Sequence, residues 1–169
     1  MHTRDEVRTA LDANFKGLMD CLGQLTEEEL TENVVCGTWS AKDIIGHIWD
    51  WGDETIHTAT AWQSRRPWQE GVAYDDAWNE THVAARRILP LISVVDGATG
   101  SHRRLMHFLD SADDATLAKI GRAPWGAEMP LVEMFYEIAG HYAEHAAELA
   151  SYQERCLGTD DEHRDVGCN

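Results

Sequence analysis

Apolar residues return every three or four positions through four long stretches of this chain. In the first, Val7, Leu11, Phe15, Leu18 and Leu22 form one stripe, and a capping box precedes them, with Thr3 at the N-cap and Glu6 three residues on. This predicts a helix over 4–24, closed by Gly23. A second box, Thr26 to Glu29, starts a short acidic turn of helix, and 33–38 reads as loop. Ser40 caps the second long stretch, with Asp43 at N3. Ile44, His47, Ile48, Trp51 and Thr55 share its face, and it runs to Arg65, where Pro67 stops it.

Asp75 or Asp76 caps a further helical stretch through Trp78, His82 and Ala85. Pro90 opens the third long helix over 90–110, in which Gly97 and Gly100 mark close packing or a bend. The segments 111–114 and 121–130 read as loop, with Trp125 in the second. Pro130 then opens the fourth long helix, with Leu131, Met134, Ile138, His141, His145, Glu148 and Tyr152 on one stripe. No alternating strand pattern and no internal repeat occurs. The expected fold is all-α, a four-helix bundle in one domain over 1–155, followed by a flexible polar tail over 156–169.

Composition narrows the function. The 169 residues are 43% hydrophobic, enough for a core, and carry a formal charge of −16. That charge repels phosphate backbones and anionic lipid, so no nucleic acid and no membrane is expected as partner. The longest apolar run, Ile88 to Val95, falls far short of the ~20 residues a spanning helix needs. The N-terminus lacks the apolar core of a signal peptide, which implies a cytoplasmic protein whose Cys21, Cys36, Cys156 and Cys168 are reduced thiols. Nothing basic flanks Cys36, so it reads as inert.

The candidate chemistry lies in Gly140-His141-Tyr142-Ala143-Glu144-His145. Histidines four apart on a helix share a face and can grip one metal ion, with a third ligand from another helix. His47, on the core face of the second helix, is that ligand. Three neutral imidazoles leave a coordination position open, and the set suits Zn, Ni, Fe or Mn as the divalent metal. Glu148 and Glu137, one turn from the pair, can orient ligands or move protons. Glu54, two turns below His47 on nearly the same face, is the other catalytic candidate. Glu144 should point away from the pair and is left out. Trp51 is placed to wall a ligand pocket, whereas Trp39, Trp49 and Trp62 read as packing residues. Tyr142 points about 100° around the helix from His141. His57, His82, His102 and His107 read as surface or satisfied core residues.

Gly37-Thr38-Trp39-Ser40-Ala41-Lys42-Asp43-Ile44-Ile45-Gly46-His47, then Trp51, then His141-Tyr142-x-x-His145, resembles the DinB/YfiT-like superfamily of four-helix bundles, most closely its ClbS/DfsB-like branch. The resemblance spans residues 5–153. It implies a divalent metal on His47, His141 and His145. It also implies activities such as thiol-dependent transfer or isomerisation, sometimes with a low-molecular-weight thiol, and the disarming of small-molecule electrophiles. Homodimers are implied as well. The branch usually continues with Trp-Glu, whereas here Gly52 and Asp53 follow Trp51, which leaves Asp53 or Glu54 to supply the carboxylate. The expected function is a metal-dependent transferase or hydrolase that adds thiol or water to an electrophile. Two rivals are a module that sequesters a ligand in an aromatic pocket and a structural dimer whose histidines only pack.

Overall fold

The computed structural model describes residues 1–64 and 72–162, with side chains through 155. Four long helices form the body: α1 (Arg4–Leu22), α3 (Ala41–Gln63), α5 (Leu91–Ser111) and α7 (Leu131–Glu162). Between them lie α2 (Glu27–Thr31), α4 (Asp76–Arg87), the short α6 (Asp114–Leu117) and two small hairpins. The first hairpin pairs β1 (Val34–Cys36) with β2 (Trp39–Ser40), and the second pairs β3 (Ile120–Arg122) with β4 (Glu128–Pro130). No helix among the described residues is long and apolar enough to cross a membrane.

The starts of the helices follow from local chemistry. Thr3, Thr26 and Ser40 each form a full capping box with Glu6, Glu29 and Asp43, so orphan N–H groups at three helix starts are satisfied by side chains. Asp75 caps α4 by accepting from the Trp78 N–H. Pro90 is the N-cap of α5 rather than its first helical residue, and nothing caps that end through a side chain. Helix α3 ends at Gln63 with Ser64 as its C-cap, short of the expected Arg65, while Pro67, the tail at 163–169 with Cys168, and the side chain of Cys156 lie outside the described residues. The backbone of α7 runs to Glu162, past the expected limit of the bundle at 155.

Two of the three stretches read as loop, 33–38 and 121–130, fall in hairpins. Strands of two or three residues offer no alternation long enough to see, and the turn residues give the only local signal. Gly37, at φ +57°, makes the first turn, and Gly126, at φ +90°, sits in the second.

Helix α1 packs chiefly on α7, and α3 on α5, with α3 also meeting α4 and α7. Leu11, Leu18, Ile44, Ile48, Leu105, Phe135 and Leu149 are fully or almost fully buried between these layers. Truncating any of the aliphatic ones to Ala is expected to cost about 2–5 kcal/mol. Gly97 does mark close packing: a Cβ there would collide with the Trp49 ring. Gly52 plays the same part against Ser101, so position 52 faces α5 and could not carry a carboxylate toward the histidines.

Two ion pairs staple α4 to α3. Arg86 reaches the buried Asp50 at 2.5 Å and lies 3.6 Å over the Trp49 ring, and Arg87 makes a two-pronged contact of 3.0 Å with Asp43. Buried carboxylates require such partners. The staples hold Trp78 and Asn79 of α4 over Trp51.

Candidate metal centre

His47 comes from the middle of α3, and His141 and His145 from successive turns of α7. Their Nε2 atoms converge. His141 Nε2 lies 3.0 Å from His47 Nε2 and 2.9 Å from His145 Nε2. One ligand nitrogen from each residue lies within 4.8 Å of the others. Nitrogens bound about 2.0–2.1 Å from a tetrahedral zinc stand about 3.3 Å apart, so one small cation fits between them with little adjustment. Hydrogen bonding alone explains the cluster less well. His141 Nε2 faces two nitrogens and carries at most one proton.

The electrostatics agree with that fit. Burial holds the His47 imidazole far below the ordinary histidine range, and its two histidine neighbours push it the same way. Burial, with His145 adding to it, brings His141 down to about 3. Both rings are therefore neutral at pH 7, which is the ligating form. His145 Nδ1 lies 2.7 Å from Glu148 Oε2. A carboxylate only accepts, so the ring proton sits on Nδ1 and the Nε2 lone pair faces the other two histidines. The second Glu148 oxygen accepts from Cys36 Sγ at 3.2 Å. That bond, helped by burial, pushes the Cys36 thiol up and keeps it protonated.

The cluster opens on a cavity of about 320 Å³. His47, Trp51, Asn79, Trp125, Glu137, Ile138, Gly140, His141 and Glu144 line it. Trp51 donates its Nε1–H to Asn79 Oδ1 at 3.1 Å, and its ring centroid is 6.0 Å from Trp125 and 5.0 Å from Trp78. Trp39 covers His47 at 4.8 Å.

The structure brings the histidine trio and Trp51 together, and places Glu148 behind His145 rather than in the cavity. It does not bring Glu54 there. The Glu54 carboxylate accepts from the Tyr74 hydroxyl at 2.5 Å and is not among the cavity's lining residues. Asp53 pairs with Arg104 and accepts from Trp49 Nε1, so it too is committed elsewhere. Tyr142 is buried against Phe15 and His102. Glu144 needs correction, because it lines the cavity. Positions 137 and 144 lie two turns apart on one side of His141, a relation hidden when only the histidine pair is considered. Sequence reasoning also missed Asn79 and Trp125. The dipeptide Trp125-Gly126 in a tight turn was the only signal for Trp125, and Asn79 had none.

The sequence profile of the DinB superfamily matches residues 5–149, most of the chain. The chain belongs to the DinB superfamily. No curated protein sequence matches it significantly. A mycothiol-dependent maleylpyruvate isomerase has the same fold, with TM-score 0.77 and 13% identity over 88% of this chain. This DinB chain spans only 61% of that enzyme's length. The colibactin self-resistance protein ClbS, solved in complex with double-stranded DNA, aligns with TM-score 0.75 and 15% identity over 89% of this chain and 94% of its own. YfiT from Bacillus subtilis, described as a probable metal-dependent hydrolase with an unusual four-helix bundle topology, aligns with TM-score 0.72 and 16% identity over 90% and 87%. At these identities the likeness establishes the DinB fold.

Proposed function

We propose that this protein is a metal-dependent transferase or hydrolase that adds a thiol or water to an electrophilic small molecule, in detoxification or self-protection. The observation that carries this reading is the convergence of three Nε2 atoms, two of them on rings held neutral by burial, at the wall of an aromatic-lined cavity. His47, His141 and His145 would hold the metal. When bound, it supplies Lewis-acid activation of a thiol or water near neutral pH. Glu148 fixes the tautomer of His145, and Trp51, Trp125 and Ile138 shield the reacting groups from solvent. Glu137 and Glu144 are the carboxylates that reach the cavity and can accept the released proton. Superfamily neighbours described as thiol-dependent and as metal-dependent support the class of chemistry.

The test is turnover. Zinc- or nickel-loaded protein is incubated with a panel of electrophiles, with and without a low-molecular-weight thiol, and products are followed by mass spectrometry. We expect multiple turnovers that require metal and fall at least about a hundredfold in His141→Ala. One-to-one capture without turnover would replace this reading with the sequestering module, which the tryptophan-lined walls favour. The cavity beside the trio argues against histidines that only pack. A cytoplasmic homodimer is part of the same proposal, with oligomeric state measured by light scattering. The charge of −16 weighs against duplex DNA as a partner, in contrast to ClbS, which was solved with it.

A further inference from the structure

The cavity has a one-sided charge pattern. Glu137 and Glu144 line it two turns apart on α7, and neither has an ion-pair or hydrogen-bond partner among the described residues. No Lys or Arg is among its described lining residues. Gly140 lies between the two glutamates in sequence, and a Cβ there would meet nothing within 4 Å, so the space beside them is open. Trp51 and Trp125 supply aromatic walls, and Asn79 is held by Trp51. Carboxylates without counter-ions beside tryptophan rings favour an organic cation, through Coulomb attraction and cation–π contact. In the metal-free cavity the same pattern disfavours a carboxylate-bearing ligand, for which the described lining offers no cation.

We propose that the cavity selects ligands carrying an alkylammonium or amidinium group, held between Glu137, Glu144 and the tryptophan walls. This deepens the function proposed above by naming the substrate class: an amine-bearing electrophile rather than a carboxylate-bearing one. It rests on that reading for the word substrate; the carboxylates and tryptophan walls are present without metal, whereas a divalent ion on the histidines would add positive charge to the same cavity wall.

The test uses two probes of matched shape, 2-phenylethylammonium and 3-phenylpropionate, titrated by calorimetry into metal-free protein and, separately, into zinc-loaded protein. The ammonium is expected to bind metal-free protein at least about tenfold more tightly, since two rim carboxylates attract one probe and repel the other. In the Glu137→Gln/Glu144→Gln double variant that preference should fall to about twofold or less, with the circular dichroism spectrum unchanged. Equal or tighter binding of the carboxylate by metal-free wild type would overturn the proposal. So would a preference that survives in the double variant. If the ammonium preference holds but no metal binds, this inference stands and the metalloenzyme reading falls. If metal binds but the preference is absent, the reverse is true.

Discussion

Two buried histidine sites lie in this bundle, and they share desolvation but differ in arrangement. At His47, His141 and His145, three rings from two helices turn their Nε2 atoms to one point beside a cavity, and Glu148 fixes one of them. At His102 a single ring on α5 is sealed against Phe15, at a centroid distance of 4.1 Å and nearly parallel, with Tyr142 beyond it. Its Nδ1 is buried with no hydrogen-bond partner among the described residues. Burial lowers the pKa at both sites, to about 4 for His102. A depressed histidine pKa thus reports desolvation and not function. Convergence on an open cavity separates the candidate metal centre from the packed histidine.

The sharpest contrast is in metal affinity. His141→Ala should weaken Zn²⁺ binding by more than about a thousandfold, since two ligands remain where three are needed. His102→Ala should leave binding unchanged while lowering stability. Titration with a competing chelator measures both, and equal losses in the two variants would erase the distinction. Glu148→Gln comes next, with an expected loss of about 10–100-fold in metal affinity, because the amide no longer enforces the Nδ1–H tautomer of His145.

The packed histidine should dominate a different measurement. His102 has a folded pKa of about 4 and an unfolded value near 6.5, so between those limits the unfolded chain takes up a proton that the folded chain refuses. Its contribution is fully present above pH 6.5 and is lost as pH falls toward 4. Urea melts at pH 7 and 5 should show wild type losing on the order of 2 kcal/mol more than His102→Leu. Similar losses in both proteins would show that the ring is not desolvated. The smallest effect concerns Cys36, which donates to the outer oxygen of Glu148. Cys36→Ala should reduce metal affinity no more than a few-fold, and Cys36→Ser should restore it, since one hydrogen bond is worth about 1 kcal/mol.

The four long helices and the trio were legible in the sequence for one reason: both follow from periodicity along single helices. The stripe from Val7 to Leu22 and the four-residue spacing of His141 and His145 need no tertiary knowledge. His47 required only that its stripe face the core. What failed to show depends on other elements. Glu54 does share a helical face with His47, but the chain ahead of α4 brings Tyr74 to its carboxylate. Asn79 and Trp125 come to the cavity because α4 is stapled to α3 and because a short hairpin precedes α7, and neither has a periodic signature. Glu144 was misjudged because a position beside a ligand pair still borders the space the pair opens on. The carboxylate expected after Trp51 is absent because Gly52 is needed where α5 comes close.

The central claim is that His47, His141 and His145 form a metal centre. Elemental analysis of untagged protein, loaded with Zn²⁺ and passed through a desalting column, tests it most directly. We predict about one zinc per chain in wild type and in His102→Ala, and almost none in His141→Ala. Wild-type protein that retains no zinc, nickel, iron or manganese after the same treatment would contradict the account.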